Sequence, residues 1–249
     1  MDLRTLVSYL DQYLQIRDFD DRSNNGLQVE GRAEVRRLGF AVDASLDAFH
    51  KAADAQVDFL IVHHGLFWGA PLMATGAHKQ RLHTLLANNI SLYGAHLPLD
   101  AHSEIGNNAE MARLLDLKPT GEFATAHGRP VGLIAGAERD LSLEEVRSRL
   151  GQALGVEARV WPFRQSARRF GLLTGSAVGA IDEAIAIHLD ALVCGELVHM
   201  VYHTAKEAGL GVILGGHYAT ETLGLKALMR HLAREHNLDT VWIDAPTGL

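Results

Sequence analysis

Phe59-Leu60-Ile61-Val62-His63-His64-Gly65-Leu66-Phe67-Trp68 decides how the rest of the chain is read. A short apolar run with β-branched residues suits a buried strand. Such a strand gains nothing by ending in two imidazoles unless something binds them. Gly65 lets the chain turn there, so the pair stands where a strand runs out into a loop. In open α/β sheets that edge is where ligands are held.

Two further stretches repeat the pattern. Val212-Ile213-Leu214-Gly215-Gly216-His217-Tyr218-Ala219-Thr220-Glu221 is again a buried strand, then glycine, then histidine. Here a helix begins, and the four-residue spacing puts His217 and Glu221 on one helical face. Tyr93-Gly94-Ala95-His96-Leu97-Pro98-Leu99-Asp100 is a strand that ends in a histidine, with a carboxylate following. An imidazole nitrogen and a carboxylate oxygen can close on one metal or on two adjacent ones. Each pattern alone is weak, because His/Glu pairs at this spacing are mostly ordinary helix surface and Asp is common in turns.

The coincidence carries the reading. If the three strands share a sheet, His63, His64, Asp100, His217 and Glu221 converge on one cleft, with His96 as a further ligand or as a group that orients one. Adjacent strand residues point to opposite faces. At a frayed strand end, however, both can reach a common site or serve two neighbouring ions. Mixed imidazole and carboxylate ligands suit Zn, Mn, Fe, Ni or Co better than Ca or Mg. Three neutral imidazoles and two carboxylates carry −2 against the +4 of two divalent ions. The surplus calls for an anionic substrate group or a hydroxide, as in a site that activates water. A structural zinc would be closed by four ligands, most often including cysteine, and the single cysteine, Cys194, lies in another stretch.

Composition bounds the alternatives. The chain has 249 residues, 47% apolar and 21% charged, as soluble globular proteins do. Its net charge is −7 and no basic run stands out, which argues against nucleic acid as the main partner. No apolar run approaches the ~20 residues of a membrane span. Met1-Asp2-Leu3-Arg4 lacks a signal peptide's basic start and apolar core. One cysteine excludes an internal disulfide and agrees with a cytoplasmic location. Histidine is abundant, at 14 residues.

Read in order, the pattern predicts helices over 3–15, 44–55, 78–88, 107–115, 142–154, 180–188, 199–208 and 220–234. Strands fall at 26–30, 38–42, 57–62, 91–95, 131–135, 158–161, 170–174, 191–194, 212–214 and 240–243. Ser142 and Glu145 form a capping-box pattern. The stretch from Lys118 to Arg129 is turn-rich and marks a lobe boundary. The expectation is an α/β chain of two similar lobes with mixed sheets: residues 1–125 supply His63, His64 and Asp100, and residues 126–249 supply His217 and Glu221.

Other residues carry weaker signals. Glu196 also follows a buried strand, and suits either a base or a hydrogen-bond partner of a ligand histidine. His199 and His203 share a helix face four apart. Phe67 and Trp68 can stack a purine base, although aromatics after a core strand more often pack. Cys194 reads as a core thiol, and Asn24 and Asn25 as turn residues or cleft lining. His50, His78, His83, His127, His188, His231 and His236 have no partner pattern.

The chain resembles the Nif-three-like dinuclear metal proteins, whose bacterial members are often labelled GTP cyclohydrolase 1 type 2 homologues. The match covers almost all of it. It rests on Ser23-Asn24-Asn25-Gly26-Leu27-Gln28-Val29-Glu30-Gly31, Val62 to Trp68, Ala95 to Asp100, Gly106-Asn107-Asn108, Cys194-Gly195-Glu196 and Gly215 to Glu221. The resemblance implies a di-metal centre held by the positions matching His63, His64, Asp100, His217 and Glu221. It further implies two interlinked α/β lobes and a ring-shaped homohexamer, with the metal sites facing an inner cavity. His203 matches a family histidine and stands with Glu196 as a candidate acid/base. The chain departs from the family in having Thr174-Gly175-Ser176-Ala177-Val178-Gly179 at a Gly-Gly-rich turn, and Leu197-Val198-His199 where Ser-Glu-Gln is usual. These changes bear on substrate more than on metal.

Two functions follow as expectations. One is a dinuclear metallohydrolase of a nucleotide, GTP cyclohydrolase type 2-like, or of a related phosphorylated small molecule. With GTP, water attacks purine C8 and opens the imidazole ring. The other is a metal-binding protein that stores, delivers or senses ions, or acts through partners, without turnover.

Overall fold

The computed structural model describes residues 1–126 and 128–249, so His127 lies outside the described residues. The first elements are α1 (Leu3–Tyr13), β1 (Gly26–Val29), β2 (Arg37–Asp43), α2 (Leu46–Asp54), β3 (Phe59–His64), α3 (Gly76–Ala87), β4 (Ser91–Gly94) and α4 (Leu97–Asp100). Then come α5 (Asn107–Leu114), β5 (Lys118–Ala126), β6 (Arg129–Ser142), α6 (Leu143–Leu154), β7 (Arg159–Trp161) and β8 (Ser166–Ser176). The last are α7 (Ile181–Ala186), β9 (Ala191–Glu196), α8 (Tyr202–Glu207), β10 (Gly211–Leu214), α9 (His217–His236) and β11 (Asp239–Trp242). Two compact units result. One comprises Met1–Leu99 with Leu225–Ala245, the other Asp100–Gly224 with Pro246–Leu249.

The first unit carries a five-stranded sheet in the order β1-β4-β3-β2-β11. Neighbouring strands from β4 to β11 run parallel, and β1 lies antiparallel to β4 at the edge. Strands sandwiched by helices read as continuous apolar runs, as Phe59 to Val62 does. Leu60, Val62 and Leu92 join Phe49 of α2 and Leu85 of α3 in one core. Ser45 caps α2 by accepting from Ala48 N at 3.1 Å.

The second unit carries a six-stranded sheet in the order β5-β6-β8-β9-β10-β7. Strands β8, β9 and β10 are parallel, flanked by antiparallel pairs. Phe170, Leu172, Val193 and Ile213 pack with Val146 and Leu150 of α6. Ser142 caps α6 as its spacing predicts, but Glu145 directs its carboxylate to Arg139 and Arg149 rather than back to the cap.

Three local expectations change. Lys118–Ala126 forms strand β5 and Arg129 starts β6, paired from Lys118↔Gly136 to Ala126↔Arg129. Pro119 and Gly121 suggest turns, yet they sit at a sheet edge with a register shift, where such residues are tolerated. The three histidine-bearing strands do not share a sheet: β3 and β4 belong to the five-stranded sheet and β10 to the six-stranded one. Finally, α9 begins at His217, three residues before the predicted start. Among the described residues no helix is long and apolar enough to cross a membrane.

Candidate metal centre

In the first unit, strand β3 delivers both histidines. His64 is not frayed, since it still pairs with Asp43 in the β2–β3 register. The rings of His63 and His64 nonetheless lie 4.8 Å apart, centroid to centroid. His96, just past β4, brings its ring 5.1 Å from His63 and 5.7 Å from His64. One ring nitrogen from each of the three lies within 4.8 Å of the others.

Each imidazole is oriented through Nδ1. His63 Nδ1–H donates to Ala95 O at 2.9 Å, and His64 Nδ1–H to Asp43 Oδ1 at 2.9 Å. His96 Nδ1–H donates to Asp21 Oδ2 at 2.9 Å. A histidine whose Nδ1 hydrogen is fixed on a carbonyl or carboxylate presents the Nε2 lone pair, the form in which histidine ligates metals. Burial pushes the Asp21 carboxyl up, but its hydrogen bonds to His96, Asn25 and Ser23 outweigh that and hold it well below the usual carboxylate range. Asn25 ties the knot: its Nδ2 donates to Asp21 at 2.9 Å and its Oδ1 accepts from His96 N at 2.8 Å.

The second unit builds around His217. Its Nδ1–H donates to Glu196 Oε1 at 3.0 Å, and its Nε2 lies 3.1 Å from Glu221 Oε1. One imidazole between two carboxylates requires a positive charge between Nε2 and Oε1, from either a proton or a metal ion. Glu221 is buried, at 3% exposure. Glycine makes the approach feasible, since a Cβ on Gly175, which sits at φ +65°, would lie 2.2 Å from Glu221 Oε1.

Asp100 is buried and firmly held. Its Oδ1 accepts from Asn107 Nδ2 at 2.8 Å and from Thr174 Oγ1 at 3.1 Å. Asn107 Oδ1 in turn accepts from Gly224 N at 2.7 Å. Asn108 links Asp100 O, Val131 O and Thr174 N. Hydrogen bonds of this kind orient a carboxylate ligand and fix its rotamer before any ion arrives.

The donor types therefore suit divalent ions: imidazoles fixed by Nδ1 in both units, and the buried carboxylates of Asp100 and Glu221. Glu196 orients His217. His203 is exposed on α8, its ring edge-on to His199 and Tyr202. Burial, and then the charge of Glu196, push the Cys194 thiol up, which leaves it an inert core group. The sequence carries Asn107, Thr174 and Gly175 in quoted motifs without a role for them, and gives no reading of Asp43 or Asp21. Asp43 was findable, because it closes strand β2 as His64 closes β3. Asp21, in a polar loop, carries no such signal.

An α/β chain with two such sets of oriented donors defines a class of candidate metal proteins. The model of the Duf34/NIF3 family (NGG1p interacting factor 3) matches residues 1–247, and the chain belongs to this family. It is 43% identical over 251 residues to the GTP cyclohydrolase 1 type 2 homolog of Pyrococcus abyssi (strain GE5 / Orsay), with all of both chains covered. The crystal structure of TTHA1606 from Thermus thermophilus is similar along 100% of both chains, at 45% identity and a TM-score of 0.89. So is protein ybgI, a structural-genomics structure described as of unknown function, at 35% identity and 0.93. The two-sheet α/β fold expected from the sequence is the fold of this family.

Proposed function

We propose that the protein is a dinuclear metal-dependent hydrolase of a nucleotide or a related phosphorylated small molecule, with His63, His64, Asp100, His217 and Glu221 as the metal ligands. The observation that carries this reading is the common orientation of the histidines. Each of His63, His64, His96 and His217 has Nδ1 engaged by a carbonyl or carboxylate, which leaves Nε2 for a cation. Divalent ions bound there supply Lewis acidity and water activation. The chain's own residues do the rest. Asp43 and Glu196 fix the tautomers of His64 and His217, Asn107 and Thr174 fix the Asp100 rotamer, and His96 either completes a coordination shell or orients it. The relatives' name supports GTP or a similar nucleotide as substrate. A homohexameric ring remains part of the proposal through the family.

One observation favours the alternative of a non-catalytic metal carrier or regulatory protein. Glu196 already accepts from His217 Nδ1–H, and His203 lies exposed on α8. A turnover screen with GTP and phosphodiester substrates separates the readings. The hydrolase reading expects activity that is lost in Asp100→Asn and Glu221→Gln. Activity unchanged in both variants, or absent from the metal-loaded wild type, contradicts it.

A further inference from the structure

We infer that Trp68 is a stacking platform for a planar heteroaromatic ring, of the nucleobase class, beside the three-histidine cluster. The inference rests on the proposed nucleotide-directed reading and names the subsite that would hold the base. Among the described residues Trp68 is the one aromatic in the set of exposed large hydrophobic side chains, at 38% exposure. That exposure sets it apart from the fully buried rings of the same unit, Phe59 and Tyr93, and leaves part of the indole open to a ligand.

The ring is also held in place. Its Nε1–H donates to Gly65 O at 2.8 Å, and its backbone pairs with Ser23 in an isolated antiparallel bridge. Asn24 N donates to Phe67 O at 3.0 Å, which ties the same turn to the 21–25 loop. A half-exposed indole anchored in this way loses little side-chain entropy when a ligand ring settles on it.

Its neighbours supply the second element. The indole centroid lies 5.0 Å from His96, edge to face at 70°, and 6.0 Å from His64. A planar ring laid on Trp68 would therefore sit next to the imidazoles assigned to metal binding and their orientation. Stacking tolerates any base, because every base has a π-face, and it is worth about 5- to 150-fold in affinity per base. Trp68 accordingly binds the class of ring, and the identity of the base is read elsewhere.

The test compares guanosine 5′-monophosphate with ribose 5-phosphate, which keeps the sugar phosphate but lacks the base. Metal-loaded protein is used in a Trp161→Phe, Trp242→Phe background, so that emission reports Trp68 alone. The nucleotide should quench that emission and bind at least about 5-fold more tightly than ribose 5-phosphate. Measured by isothermal titration calorimetry, which needs no tryptophan, Trp68→Leu with metal content unchanged should abolish the preference, and Trp68→Phe should restore most of it. Equal binding of the two ligands, no binding of the nucleotide, or a preference that survives Trp68→Leu overturns the platform. Hydrolysis and metal content measured on the same protein keep the two readings apart. A base preference without turnover overturns the hydrolase and leaves the platform standing, whereas turnover without a base preference does the reverse.

Discussion

The side-chain amide of Gln28 stands where Gly65 would carry a Cβ: that carbon would lie 2.2 Å from Gln28 Nε2. A Cβ on Gly94 would lie 2.8 Å from the same nitrogen. Gln28 Oε1 accepts from Leu66 N at 2.7 Å, and its Nε2 donates to Asn24 O at 2.6 Å. One amide thus braces the exit of β3, which carries His63 and His64, against the end of β4, which leads to His96. Gly65→Ala must displace that amide and break both hydrogen bonds, so it should destabilise the protein by about 1–3 kcal/mol. Urea unfolding measures this, and a change within about 0.5 kcal/mol, typical of an indifferent surface site, would show that the amide has room to move.

The carboxylates behind the histidines should matter nearly as much as the ligands. Removing such a partner typically lowers metal affinity by about 10- to 100-fold. Glu196→Ala and Asp43→Ala should each show a loss of that order in a competitive chelator titration, with the fold retained by circular dichroism. Glu196→Gln, which keeps an acceptor for His217 Nδ1–H, should lose less than Glu196→Ala. Equal losses in the two would mean that charge, not orientation, is what Glu196 supplies.

Tyr93 gives the fold a defined alkaline limit. Burial, and then the charge of Asp11, which accepts the Tyr93 hydroxyl at 2.8 Å, push the phenol well above its ordinary value. A folded-state value raised above the unfolded one stabilises fully below the unfolded pKa, about 10 for tyrosine, and the contribution is lost as pH rises beyond it. Stability of the wild type should therefore fall more steeply above about pH 10 than that of Tyr93→Phe, because only the wild type releases this proton on unfolding. Parallel curves of urea midpoint against pH for the two proteins would refute the assignment.

Much of the fold was legible because burial writes itself as periodicity. The runs Phe59 to Val62, Ala191 to Cys194 and Val212 to Leu214 read as strands and are strands. The 118–129 segment misled because Pro119 and Gly121 signal turns locally, while its pairing with β6 is set by cross-strand contacts that local composition does not show. Among the site residues, the candidate ligands that end strands stood out by position, whereas Asp21, which holds His96 through its Nδ1, sits in a polar loop and did not. Gly175 and Gln28 were beyond reach. Their roles depend on what approaches them from elsewhere in the chain, and a glycine's missing Cβ leaves no trace of its neighbour. The assumption of one shared sheet failed for a related reason: strand identity is local, but sheet membership is a long-range property.

Binding of divalent metal through oriented imidazoles and buried carboxylates is tested by metal analysis of protein purified under metal-replete conditions. With the proposed dinuclear site, the wild type should hold about two ions per chain, and the number should fall in Asp100→Asn and Glu221→Gln. One ion or none per chain in the wild type would contradict it.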